Sequence, residues 1–532
     1  MSDRILFGDE IRQKLLSGAN KLADAVASTL GPRGQNVILY KRGADPVITK
    51  DGVSVARVVE LEDDYEQAGV EVLRQAALKT NSTAGDGTTT STVLARAIME
   101  EANRQVVAGA ASIELKRGMD IAVEKIIENL DAAAIPVSSE EDITHIATVS
   151  ANGDKAIGTL VATAVDAAGK DGAITIEESR SLETSLDVVE GYQFQGGYVS
   201  TQFVTDHRRA AVTFSDALVL VTDATLDTID DMLPVLEVVA RDGRPFIVIA
   251  EEIEGQLLAA LVMNSLRGNM KIAAIKVGSY GEERRNTLSD IALTTGATFI
   301  SKDSGIRLNK ITLAHLGTCK TVEALKVRTT LAGGGGDPAE IEKRTDALKA
   351  EVEQLESLAE AERVQKRITQ LASGVAIIRV GGATEIEVEE KKHRVEDALE
   401  AVRSAQEEGI VPGAGVALIR ASRTLELEKL ENSDQTLGAN VIVTSVFAPL
   451  KQILKNANIS SDLVINNLLQ REDENVGLNV RTGKFENLIE EGVVDPVKVT
   501  KAALINAASA AGTLLTTNCA VLRESSGQKT SD

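Results

Sequence analysis

The chain has 532 residues, 43% of them hydrophobic, with a formal net charge of −22. That length accommodates about three or four domains, each large enough to bury a core. The acidity excludes nucleic acid as a partner, because phosphate binding needs clustered Lys and Arg, and 2% aromatics with no Trp leave no platform for stacking bases.

In chain order, Ile11, Leu15, Leu16, Ala19 and Leu22 recur at helical spacing, and the pattern continues from Ala23 to Leu30. A Gly/Pro turn follows in Thr29-Leu30-Gly31-Pro32-Arg33-Gly34. Residues 36–39 and 46–49 are short β-like runs consistent with a small hairpin, and Thr49-Lys50-Asp51-Gly52-Val53-Ser54 comes next. Ala68, Val72, Leu73 and Ala76 mark another helix. It leads into Gly85-Asp86-Gly87-Thr88-Thr89-Thr90, the most informative run in the chain. The glycines let backbone approach a bulky anion. The threonines offer hydroxyls and, at a helix start, unsatisfied N–H groups suited to phosphate. Asp86 repels phosphate unless a hard cation such as Mg²⁺ lies between them. The competing reading is an ordinary N-cap, Asp or Thr, on a helix from about Thr90 to Gln105. These residues alone leave both open.

Pro136 interrupts the helical first quarter. Ala217–Val221, Pro245–Ile249 and Ile272–Val277 are apolar, β-branched runs separated by helical stretches Asp230–Ala240 and Glu254–Leu266, which predicts a parallel or mixed sheet with crossover helices. After Gly333–Gly336 and Asp337-Pro338, a long charged helix is expected from Ala339 to about Leu371, its charges a solvated face. Helix returns from about Val395. Val499–Leu515 is apolar enough to predict a surface packed against a neighbouring molecule. No solenoid repeat and no Gly-x-x-x-x-Gly-Lys-Ser/Thr loop occurs.

No apolar run approaches the ~20 residues needed to span a bilayer. Met1-Ser2-Asp3-Arg4 lacks a basic-then-apolar leader, so neither membrane nor secretion is expected and a cytoplasmic location follows. Cys319 and Cys519 read as packed thiols rather than a disulfide. His145, His207, His315 and His393 show no ligand spacing.

The Thr29–Gly34, Thr49–Ser54 and Gly85–Thr90 segments resemble the nucleotide-site signatures of the group I chaperonins, the GroEL family. Ser150-Ala151-Asn152, Val189-Glu190-Gly191, Met232-Leu233-Pro234-Val235-Leu236-Glu237, Arg394-Val395-Glu396-Asp397-Ala398-Leu399 and Asp495-Pro496 resemble it too, in order, so the likeness spans about Phe7 to Leu522. It implies a multidomain α+β and α/β fold. A mostly helical equatorial domain would come from 1–135 and 409–532, a small intermediate domain from 136–190 and 375–408, and an α/β apical domain from 191–374. Gly191, Gly374, Pro136 and Gly409 would be the hinges. The implied function is an ATP-dependent chaperone that captures non-native polypeptides and promotes their folding in a ring chamber. Its partners would be a co-chaperonin lid and copies of itself, in seven-subunit rings, single or paired. ATP and Mg²⁺ would be its cofactors, with K⁺ as a further cation, and an organelle stroma or matrix would suit it if a transit peptide were removed. The alternative is a divergent paralogue that holds unfolded chains with weak ATP-driven cycling.

The resemblance also assigns residues. Thr29, Leu30, Gly31, Pro32, Gly87, Thr88, Thr89 and Thr90 would cradle the phosphates with Lys50 close by, and Asp86 would hold Mg²⁺. Asp51 and Asp397 would polarise the attacking water and act as the catalytic pair, although Asp397 taken alone reads as a solvated carboxylate. Gly413, Ala414, Asn479, Val480 and Asp495 would meet adenine and ribose. Ala414 stands where the family has glycine, at small cost if its φ is negative and of order 1 kcal/mol if positive. Tyr198, Phe203, Val204, Leu233, Leu236, Leu258, Val262 and Met263 would bind polypeptide, with Leu233/Leu236 and Leu258/Val262 making one apolar stripe on each of two neighbouring helices. The competing reading turns those stripes toward the sheet. Gln202 replaces an aromatic of that groove. Gly196 stands in place of an Arg that pairs with the intermediate-domain Glu of the neighbouring subunit, Glu385 in this sequence, and Ile459, Ser460 and Ser461, near Lys451, stand in place of charges. Arg523–Asp532 lacks Gly-Gly-Met repeats. These departures predict a weaker contact between rings.

Overall fold

The computed structural model describes residues 4–522 apart from 41–45, 169–172, 180, 302, 353–354, 356–357, 373 and 426–429. The C-terminal departure at Arg523–Asp532 therefore lies outside the described residues. The chain divides into two compact units, one from Met1–Ala162 with Ala383–Asp532 and the other from Thr163–Gly382.

The first unit is helical, and both ends of the chain build it. Ile11, Leu22, Leu94, Ile98, Met119 and Ile126 pack with Leu418, Ile442 and Leu504 in one buried core. The termini are tied together where Arg4–Phe7 pairs antiparallel with Cys519–Leu522. Val37–Leu39 and Val47–Thr49 form the small antiparallel hairpin that the sequence predicts. Two helix crossings depend on glycine pairs. Where Gly8–Ala27 crosses Asp64–Ala84, a Cβ on Gly18 would lie 1.8 Å from the Glu66 carbonyl oxygen and one on Gly69 would lie 2.0 Å from that of Leu15. Where Ser112–Ala132 crosses Ser433–Ser445, a Cβ on Gly118 would lie 1.9 Å from the Gln435 carbonyl oxygen and one on Gly438 would lie 2.0 Å from that of Leu115. Backbone thus meets backbone, and polar groups rim each crossing: Ser17 Oγ donates to Glu66 at 2.9 Å, and Gln435 Nε2 donates to Glu114 at 2.8 Å.

The second unit is built on an eight-stranded mixed sheet. Val212–Val221, Phe246–Ala250 and Ile272–Val277 run parallel, linked by helices Ile229–Asp242 and Gly255–Leu266, as the alternation in the sequence predicts. Phe246–Ala250 is buried at every position, which suits a strand covered on both faces. The 14-residue strand Ser185–Tyr198 changes partner between Glu190, opposite Gly374, and Gly191, opposite Ala332. Gly191 is needed at that switch, since a Cβ would meet Val375 Cγ2 at 2.2 Å and the Leu331 carbonyl oxygen at 2.6 Å. Its far end, Gly196–Tyr198, pairs with Ile275–Val277 and closes six of the strands on themselves. A Cβ on Gly196 would meet the Lys276 carbonyl oxygen at 2.5 Å, so this backbone has no room for the arginine of the family pattern.

Several expectations are corrected. The charged stretch after the glycine cluster is two helices, Pro338–Val352 and Leu358–Ala372, not one. The helix Val497–Leu515 is interior: thirteen of its nineteen residues are buried within this chain, so its apolar character needs no neighbouring subunit. The helical stretch 433–456 is 24 residues long and contains a window of mean hydropathy 1.4, 61% of it buried in the fold. That burial marks core. Four of the eight expected polypeptide-binding residues are core as well. Tyr198 is 8% exposed, Phe203 1%, Leu236 8% and Val262 9%, because all four pack into the core of the second unit. Leu233 at 48% and Met263 at 45% are exposed, and Val204 and Leu258 are half-buried.

Candidate functional site

The site lies wholly within the helical unit. It is a cavity of about 510 Å³ lined by residues from both ends of the chain. The helix Thr88–Val107 points its N-terminus at it. Its N-cap is Gly87, in the left-handed region at φ 85°, with no side-chain cap. The reading of an Asp or Thr cap on a helix from about Thr90 is therefore replaced: the helix begins at Thr88, and its first N–H groups are left for a ligand. Gly87 has no room for a side chain, since a Cβ would lie 2.6 Å from Val499 Cγ1. A Cβ on Gly85 would lie 2.2 Å from Glu400 Cβ. The Gly-Asp-Gly loop is thus wedged between two helices, and Asp86 is held by its surroundings. Its Oδ1 accepts from its neighbour Gly87 N–H, and Oδ2 accepts from Ser150 Oγ at 3.0 Å.

Across the cavity, Thr29 Oγ1 donates to the Val26 carbonyl at 2.8 Å and lies 3.4 Å from Thr89 Oγ1. Lys50 Nζ donates to the Gly31 carbonyl at 3.1 Å. Burial pulls the Lys50 ammonium below its ordinary value, and the charges of Arg394 and Arg481 pull it the same way. Gly52 allows the short helix Gly52–Val58 to reach the threonines: a Cβ there would lie 2.3 Å from Thr89 Oγ1. Asp51 caps that helix. Oδ1 accepts from Val53 N–H at 3.0 Å, and Oδ2 accepts from Ser54 N–H at 3.0 Å and Ser54 Oγ at 2.6 Å. Asp397 lines the same cavity from the helix Glu385–Glu408 and is only partly buried. Ser404, two turns further along that helix, donates to the Ala84 carbonyl at 2.9 Å, which fixes the helix against the Asp86 loop.

Of the expected nucleotide residues, Thr29, Leu30, Gly31, Pro32, Lys50, Asp51, Asp86, Gly87, Thr88, Thr89, Thr90, Asp397, Ala414, Asn479, Val480 and Asp495 all line the cavity. Gly413 does not. Its backbone sits behind the wall, its N–H donating to the Val493 carbonyl at 2.9 Å. Ser150, Asn152, His145 and Arg481 also line the cavity, and sequence reasoning gave none of them a role. Ala414 has φ 58°, the strained case for an alanine. Ala414→Gly is expected to raise unfolding stability by about 1 kcal/mol, read as a higher urea midpoint at unchanged slope. An equal or lower midpoint contradicts the strain.

Asp495 sits on the strand Val494–Pro496. Burial pushes its carboxyl up to about 7, the charge of Asp86 adds to the rise, and the Gly415 N–H opposes it. Asp86 and Asp495 thus face the same cavity, and each disfavours charge on the other. Among the described residues no group of three or more His, Cys, Asp or Glu forms a metal cage. The donor set therefore fits a hard cation bound by one or two carboxylates and completed by phosphate oxygens. The raised value also has a stability consequence. The folded chain binds this proton more tightly than the unfolded chain, so the contribution is greatest below the ordinary carboxylate range and is lost as pH rises toward 7. Asp495→Asn, which cannot ionise, is expected to gain more melting temperature over the parent at pH 8 than at pH 5. A pH-independent difference contradicts the assignment.

The TCP-1/cpn60 chaperonin family model matches residues 22–525. The crystal structure of the chaperonin gp146 from the Pseudomonas aeruginosa bacteriophage EL 2, determined in the presence of ATP-BeFx, is similar in fold in its crystal form II. The TM-score is 0.68 at 24% identity, over 98% of this chain and 99% of that one. Crystal form I of the same protein gives a TM-score of 0.63 at the same identity and coverage.

Proposed function

Because the chain belongs to the TCP-1/cpn60 chaperonin family, we propose that it is an ATP-driven chaperone that hydrolyses ATP in the cavity of its helical unit. The observation that carries this is the convergence, in one cavity, of the Thr88–Val107 helix N-terminus, Asp86, Lys50 and Asp397. The open N–H groups and the threonine hydroxyls bind phosphate oxygens, and Lys50 adds positive charge. Asp86 would hold Mg²⁺, which would supply positive charge beside the phosphoryl group. Asp397 accepts a proton from the attacking water. Asp51 is the weaker candidate for that task, since both its oxygens are committed to capping a helix. Ala414, Asn479, Val480 and Asp495 line the wall that receives ribose and base.

The second unit captures non-native polypeptide, with Leu233 and Met263 as its exposed apolar contacts and Val204 and Leu258 beside them. Chains associate in seven-subunit rings closed by a co-chaperonin lid. Asp86→Ala is expected to weaken ATP binding in the presence of Mg²⁺ by at least about tenfold, one charge-assisted contact, and to leave metal-free binding nearly unchanged. Titration calorimetry with and without Mg²⁺ reads this directly. Equal affinities of parent and variant in Mg²⁺ remove Asp86 from the metal site.

A further inference from the structure

Lys50, Lys155 and Arg481 line the cavity, and the charge of Arg394 also acts on Lys50; these cations differ in what already holds them. Lys50 is hydrogen-bonded to a carbonyl, and its proton is weakened by burial and by its neighbours. Arg394 is held by two carboxylates, Asp154 at 3.3 Å and Glu390. The Arg481 guanidinium has no ion pair and no side-chain hydrogen bond among the described residues, although it lines the cavity. Its main chain is nevertheless fixed. The Arg481 N–H donates to Asn479 Oδ1 at 3.0 Å, which tightens the turn after the strand Val476–Asn479.

That turn sends the side chain back across Gly153. A Cβ on Gly153 would fall 1.6 Å from Arg481 Nη2, and Gly153 has φ 87°, so two independent features of this position require glycine. Gly153 adjoins Asn152, which lines the cavity, and lies three residues from Ser150, whose hydroxyl is bonded to Asp86. The guanidinium therefore lies against the turn that follows Ser150, the residue bonded to Asp86, and its charge acts on Lys50. Guanidinium is planar and permanently charged, and its fork matches two phosphate oxygens.

We propose that Arg481 is a binding residue for the polyphosphate of the nucleotide, donating from its guanidinium to phosphate oxygens. This rests on the reading of the cavity as a nucleotide site. Removing the side chain leaves the fold intact, because Arg481 is exposed at the cavity mouth and packs in no core.

The test is calorimetry on the full chain with ATP, AMP and inorganic tripolyphosphate, each in Mg²⁺, for the parent, Arg481→Ala and Arg481→Lys. Arg481→Ala is expected to weaken ATP and tripolyphosphate by about 10- to 100-fold, as for loss of a charged hydrogen bond, and AMP by less than about threefold. Arg481→Lys recovers part of the loss. Unchanged ATP affinity in a parent-like, folded Arg481→Ala overturns the assignment alone. Equal weakening of ATP and AMP also overturns it, and places the guanidinium on the base or sugar. A parent that binds none of the three probes overturns both this assignment and the nucleotide reading beneath it.

Discussion

Asp397→Ala is expected to lower the steady-state ATPase rate by about 10²- to 10³-fold while shifting ATP affinity by less than about threefold. General-base assistance contributes about 10²–10⁴ to a rate, and the carboxylate stands in the cavity without belonging to the helix N-terminus that binds phosphate. The helix that carries it is pinned to the Asp86 loop through Ser404 and Glu400, so Asp397 is presented in a fixed position. A loss in rate with binding intact is the signature of an interaction made only in the transition state. A variant that hydrolyses ATP at the parent rate removes Asp397 from the chemistry. A variant that loses binding and rate together makes it a structural support.

Gly18→Val and Gly118→Val are each expected to cost about 3 kcal/mol or more. Overpacking a well-filled site costs about 1–3 kcal/mol, and here the new atoms meet backbone carbonyls at 1.8 and 1.9 Å, which no rotamer change relieves. Each crossing joins helices that frame the helical core, so the loss is a large share of the ~5–15 kcal/mol that stabilises a domain. Ala132→Val, exposed on the same helix as Gly118, supplies the control and should change stability by only a few tenths of a kcal/mol. Urea midpoints settle the comparison, and three indistinguishable midpoints contradict the close crossings.

The parts of this fold that follow local rules were legible in the chain. Strands Phe246–Ala250 and Ile272–Val277 announce themselves as short β-branched runs, and the helices between them as 3.6-residue periods. The Gly85–Thr90 loop carries its own chemistry, and the resemblance it supports assembled a cavity that holds every expected nucleotide residue except Gly413. What periodicity does not encode is which side of an apolar helix faces the chain's own core. Leu236 and Val262 look the same on paper whether they face the core or a client, and the core takes them. Val497–Leu515 repeats the lesson, because an all-round apolar helix is what a buried helix requires. The glycine crossings were invisible for another reason. Gly18 and Gly69, or Gly118 and Gly438, lie far apart in sequence and gain meaning only when their backbones touch. Arg481 was missed because one arginine in a turn has no pattern; its signal is the glycine that yields to it.

ATP-driven release of a captured chain is the most direct test of the proposed activity. A chemically denatured, fluorescently labelled polypeptide is bound to the full-length protein, and its release and recovery of native activity are followed after addition of Mg-ATP, Mg-AMP or buffer, with Asp397→Ala in parallel. An ATP-driven chaperone releases and refolds the chain with Mg-ATP but not with Mg-AMP or buffer, and Asp397→Ala does not sustain repeated rounds. Capture whose release is the same under all three conditions contradicts ATP-driven folding and leaves a holding protein.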